Sequence, residues 1–168
     1  LGKIESFHPP IPAVALWIAD CWEAIGDQQA SAEARVRTES LRPTSAADHY
    51  LLGEYHAQHG RQDQALASYW QALARQPDHY LSLLAAGVAL GELKEHKAAE
   101  AMLTGAIALN PQTMIAYVKR AAARREQSKI VLALADIEEA KELDPELASA
   151  LLRRAGEYLV KYQLDKAL

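Results

Sequence analysis

The chain has 168 residues, half of them apolar and about a quarter charged, with a formal net charge of −4. This is globular composition at a length that suits one domain with a sizeable core. The acid excess argues against a nucleic-acid partner held by phosphate neutralisation. The single cysteine, Cys21, cannot close an internal disulfide and points to a reducing, cytoplasmic setting.

In chain order, "LGKIESFHPPI" comes first. Pro9, Pro10 and Pro12 exclude a regular helix there, so residues 1–11 read as an extended arm. "IPAVALWIA" is about half the length needed to span a bilayer, and no basic segment precedes it as a secretory signal requires. No membrane partner is therefore expected. The absence of an initiator methionine and an end at "LDKAL" lead us to expect an excerpt of a larger protein. Residues 12–45 hold a pair of helices with Gly26 between them and Pro43 behind. Ser45-x-x-Asp48 reads as a capping box opening the next helix. Gly60 ends that helix and Pro77 stops its partner, since proline disfavours helix in the residue before it. The following helix is unusual: from Leu81 to Leu93 only Ser82 and Glu92 carry polar side chains. A helix packed on one face should show a wet stripe on the other.

The punctuation is periodic. Pro43, Pro77, Pro111 and Pro145 stand at equal intervals along the chain. On that period Ala65, Ala99 and Ala133 fall in one column, and Ala72, Ala106 and Ala140 in another. Tyr69, Leu103 and Ile137 form a third, and Gly53, Gly87 and Ala121 a fourth. Self-similarity at a fixed period is the signature of a solenoid. Small residues belong where helix backbones approach, and larger ones fill the gaps between.

These residues resemble the tetratricopeptide repeat (TPR), a helix–turn–helix unit whose length equals the interval between the prolines. The resemblance implies an all-α, right-handed superhelical solenoid of antiparallel helix pairs. It covers residues 46–79, 80–113 and 114–147 as full repeats, with 148–168 as a truncated one. Residues 12–45 depart from the pattern: Ser31 and Thr38 replace the two alanines, and Arg35 replaces the large apolar residue. We read them as a degenerate pair capping the stack, since terminal repeats are atypical.

Chemistry-bearing motifs are sparse. Of six histidines, His49, His56 and His59 share one helix, yet no H-E-x-x-H or C-x-x-C accompanies them. His49 and His56 occupy places where the repeats put packing aromatics. No P-loop, G-x-G-x-x-G or G-x-S-x-G occurs, and the carboxylates of "DIEEAKELDPE" read as a solvated face. No enzyme activity, cofactor or metal is expected. In "KRAAARRE", the resemblance pairs Arg120 with Asp136 inside one hairpin, leaving Lys119 and Arg125 unexplained.

In TPR arrays the first helices line a concave groove. The resemblance places Tyr50, Glu54, Leu81, Leu84, Val88, Ile115, Val118, Ala122 and Leu152 there, with Lys119, Arg125 and Arg153 near its later end. Leu83, Ala86 and Leu90 then face neighbouring helices, and the all-apolar helix lends its second face to the groove floor. The clamp of lysines and asparagines that grips chaperone tails is absent, because Tyr50 and Glu54 hold its first places. The expectation is a non-catalytic scaffold binding an apolar, partly acidic peptide or helix. The alternative is a spacer that fills the groove with its own arm or another copy, attached to a larger enzyme such as a bacterial Ser/Thr kinase.

Overall fold

A computed structural model describes residues 11–146. Eight helices follow one another there: α1 (Pro12–Ala24), α2 (Gln28–Ser40), α3 (Ala46–Gln58), α4 (Gln62–Arg75), α5 (Tyr80–Glu92), α6 (His96–Leu109), α7 (Met114–Glu126) and α8 (Ile130–Leu143). They pair in sequence as four antiparallel hairpins, and no strand occurs among the described residues. The expected arm and the expected repeat at 148–168 lie outside the described residues, apart from Ile11 at the helix threshold.

Local chemistry sets the boundaries. The capping box of α3 forms as read: the Asp48 backbone N–H donates to Ser45 Oγ at 3.0 Å, and the Ser45 N–H donates to the Asp48 carboxylate at 3.1 Å. Within each hairpin the turn repeats one device. Gly26, Gly60, Lys94 and Ser128, each one repeat after the last, all take positive φ (86°, 70°, 64° and 60°). The next N–H then reaches back to the helix: Asp27 to Trp22, Arg61 to His56, Glu95 to Leu90 and Lys129 to Arg124, at 2.8–3.0 Å. This is the Schellman closure, which satisfies a terminal carbonyl and reverses the chain.

The hairpins close on their small residues. A Cβ built on Gly87 would lie 2.6 Å from Leu103 Cγ, and one on Gly53 would overlap the Tyr69 ring. Ala65, Ala72, Ala99 and Ala106 are fully buried. Successive hairpins stack through the second helix of one and the first of the next, α4 on α5 and α6 on α7. Ala65 and Tyr69 meet Ala86 and Ala89 in one cluster; Leu90, Ala99 and Ala123 form another. Full burial of a side chain such as Leu103 contributes roughly 1.5–3 kcal/mol.

The first hairpin docks differently. Helix α1 packs on α3, but α2 makes no comparable seam with it. At the departures from the alanine pattern, Ser31 is buried, and Arg35 reaches back to Asp20 (2.9 Å) and Glu23 (2.7 Å) on α1. Asp20 also accepts from Tyr55 Oη and pairs with His59 Nε2 at 3.1 Å. A polar bridge stands where the later hairpins use alanine and a large apolar knob.

Candidate binding groove

Helix α5 is covered on three sides. Ala86 and Ala89 lie against α4, Leu90 against α6 and α7, and Leu83 over Gly105 of α6. Its remaining side carries Leu81, 44% exposed, and the half-buried Leu84 and Val88. The neighbouring first helix, α7, adds Ile115, 38% exposed, the half-buried Val118 and the exposed Lys119. Leu84 and Val118 pack on the cluster of Ile107, Met114, Ala116, Tyr117 and Ala140. They therefore bind α5 to α7 as well as facing outward.

Toward the turn end of these two helices a cleft of about 510 Å3 opens. Small residues line it: Gly87, Gly91, Ala99, Ala122 and Ala123, together with Val88. A Cβ on Gly91 would meet nothing within 4 Å, so this position faces open space. The charged lining is Lys94, Lys119, Arg125, Glu92 and Glu126, with His96 among them. Arg125 is held by Glu126 at 2.6 Å, a contact that keeps the Glu126 carboxyl below its ordinary pKa. Lys94 and Lys119 have no acidic partner among the described residues. The cleft thus joins Val88, Lys119 and Arg125 of the residues singled out from sequence. It adds Gly91 and Lys94, which sequence reasoning missed.

Tyr50 and Glu54 do not line this cleft. The Tyr50 ring lies between Tyr69 (6.2 Å) and His79 (5.7 Å), and Glu54 Oε1 accepts from Tyr69 Oη at 2.7 Å. Burial, then the bond to Glu54, pushes the Tyr69 hydroxyl far above its usual range; burial and the Glu54 charge push Tyr50 upward too. Leu152 and Arg153 lie outside the described residues.

The basic run on α7 divides between structure and surface. Arg120 donates to Asp136 through Nε (3.1 Å) and Nη2 (2.7 Å), and through Nη1 to Thr104 (3.2 Å). Arg124 reaches the same Asp136 at 2.9 Å and Glu100 of α6 at 2.9 Å. Glu100 also accepts from Lys129 (2.6 Å) and Gln127 (2.9 Å). Lys129 first, then Arg124 and Gln127, hold its carboxyl down at about 2. Arg120 and Arg124 are thus committed within the stack, while Lys119 and Arg125 remain at the surface. Among the described residues no three His, Cys, Asp or Glu side chains converge as a metal site would need. No helix among them is long and apolar enough to cross a membrane.

Comparison with known proteins places this architecture. The tetratricopeptide repeat model matches residues 81–113. The first TPR of Spaghetti (RPAP3), solved bound to the HSP90 peptide SRMEEVD, is 27% identical, with 71% of this chain and 97% of that one covered and a TM-score of 0.62. The first TPR domain of human RPAP3 is likewise 27% identical, over 73% of this chain and 98% of its own, at 0.62. MamA, at 20% identity, shares the fold over 88% of this chain and 86% of its own, at 0.65. No curated protein sequence matched. Residues 81–113 match the tetratricopeptide repeat, and the described helix pairs stack as about three to four repeats of a TPR solenoid.

Proposed function

We propose that the chain is a non-catalytic protein-interaction scaffold whose groove holds an apolar peptide or helix carrying acidic residues. The observation that carries this reading is the cleft between α5 and α7. Its lining is small and apolar, and it also holds Lys94 and Lys119, two cations with no acidic partner of their own among the described residues. Leu81 and Ile115 extend the apolar surface along the same two helices. Burying apolar side chains of a partner supplies most of the affinity, and the lysines favour acids beside them. A peptide seated on the first TPR of Spaghetti (RPAP3) supports peptide binding by this fold. That particular peptide is not our candidate, because Tyr50 and Glu54 stand at the places of the chaperone-tail clamp.

A displayed library of peptides with varied charge tests the proposal. Selection should return sequences with an apolar anchor flanked by Asp or Glu, and Lys119→Glu should weaken them by about tenfold. Selection of basic or purely polar peptides would contradict it. Concentration-dependent dimerisation abolished by Leu81→Glu would favour a groove covered by another copy.

A further inference from the structure

Helix α3 carries histidine at two positions where the next repeat carries leucine. His49 stands one repeat before Leu83, and His56 one repeat before Leu90. His49 is 9% exposed and its Nε2 is enclosed without a hydrogen-bond partner. His56 is half-buried, edge-on to the Tyr55 ring at 5.8 Å, with its Nδ1 equally enclosed and unpartnered. A neutral imidazole fills such a site as a small ring. An imidazolium there has an N–H donor with nothing to receive it and a charge with no counter-ion.

The surrounding groups do not rescue that charge. Arg75, in the last turn of α4, opposes a cation at His49; Asp48 favours one, yet its carboxylate is taken by Thr44 and Ser45. At His56, Arg61 from the start of α4 and His59 both oppose it. Across the seam with α1, Asp20 is engaged by Arg35, Tyr55 and His59. On α3 itself Glu54 serves Tyr69, and His79 at the head of α5 is bonded to Ser82.

We infer that α3 is an acid-sensitive element, in which protonation of His49 and His56 releases the 46–58 helix from its hairpin and loosens the N-terminal part of the stack. Later hairpins lack the device, having Leu83 with Leu90, and Tyr117 with Arg124, in these places. Burial, ahead of the neighbouring cations, holds both imidazoles below their ordinary value. The released helix therefore binds protons more readily than the packed one. The packing is at full strength above the ordinary histidine range, near pH 6.5, and is lost as the pH falls below it. This inference does not depend on the groove reading.

Amide hydrogen exchange and thermal melting of the whole chain at about pH 7.5 and about pH 5 test it, with His49→Leu/His56→Leu as the comparison. The wild-type chain should lose several degrees on acidification, with exchange rising first in residues 46–58. The double variant should lose much less. An equal loss in both proteins, or exchange rising uniformly along the stack, would overturn the inference. Nitrogen-detected titration of the wild-type rings checks it without relying on the leucines. Both rings should take up their protons at lower pH in the folded chain than in the unfolded one, and protonation of both at the ordinary histidine value with the fold intact would sink the idea.

Discussion

Asp136 of α8, only 2% exposed, receives two hydrogen bonds from the Arg120 guanidinium, at 2.7 and 3.1 Å, and a further contact from Arg124 at 2.9 Å. The arrangement is unequal: Asp136 is the sole acid between two arginines, whereas Glu100 also serves Arg124. Asp136→Ala leaves Arg120 without an acid while Arg124 keeps Glu100, and should cost on the order of 3–5 kcal/mol. Arg120→Ala leaves Asp136 with Arg124 and should cost clearly less. In a double-mutant cycle the pair should couple by about 0.5–3 kcal/mol. Additive losses in denaturant unfolding would show that the two residues act independently.

Two glycines of α5 should respond oppositely to a methyl group. At Gly87 the new Cβ meets Leu103 at 2.6 Å and also approaches its backbone nitrogen at 3.3 Å, so Gly87→Ala should destabilise by about 1–3 kcal/mol. At Gly91 nothing lies within 4 Å, so Gly91→Ala should stabilise by about 0.5–1 kcal/mol through helix propensity. Melting temperatures that move in the same direction would mean that the hairpin contact is wrongly placed.

The turn residues give a third test. Lys94 and Ser128 hold the left-handed conformation that Gly26 and Gly60 hold elsewhere in the same turn. A side chain there costs about 1–2 kcal/mol, part of which glycine returns as unfolded-state entropy. Ser128→Gly should therefore stabilise by roughly 0.5–1 kcal/mol, and Gly60→Ala should destabilise by about the same amount. Urea unfolding of the two variants measures both.

Glu100 should leave its mark on acid stability. Its carboxyl is held at about 2 against an ordinary 4.5, chiefly by Lys129. The packed chain thus binds the proton less readily than the unfolded one. Its contribution is complete above about pH 4.5 and fades as the pH falls toward 2. Glu100→Gln should flatten that limb of the stability curve while leaving the loss near neutral pH, which belongs to the α3 histidines. An unchanged acid limb would show that the α6–α7 seam is not held by this carboxylate.

The hairpins and their stacking were legible because proline, glycine and alanine act sterically, at fixed places, on a single chain. The regular repeat puts Gly87 opposite Leu103 whatever the surface does. Capping by Ser45 and Asp48 was equally local. Polar seams were not legible in this way. Arg124 meets Glu100 across the seam between two hairpins, a pairing that no periodic column marks. Lys94 and Ser128 escaped because the turn is fixed by backbone hydrogen bonds that tolerate a strained side chain. The cap's lost alanines were visible, but not that Arg35 would bridge back to Asp20. Leu84 and Val118 lie among the groove residues named from sequence, yet their packing on Met114 and Tyr117 ties them into the seam between α5 and α7. Charge at those two positions would therefore damage the fold, which makes them poor probes of binding.

Gly91 is the better probe, since it lines the cleft and a Cβ built on it meets nothing within 4 Å. With an acidic, apolar peptide selected on the wild-type chain, titration calorimetry against Gly91→Leu tests the groove most directly. The variant should melt no lower than wild type, because leucine is a good helix former, while its affinity drops by about tenfold or more as the cleft fills. Undiminished affinity in a folded Gly91→Leu protein would contradict the proposal that the α5–α7 cleft receives the partner.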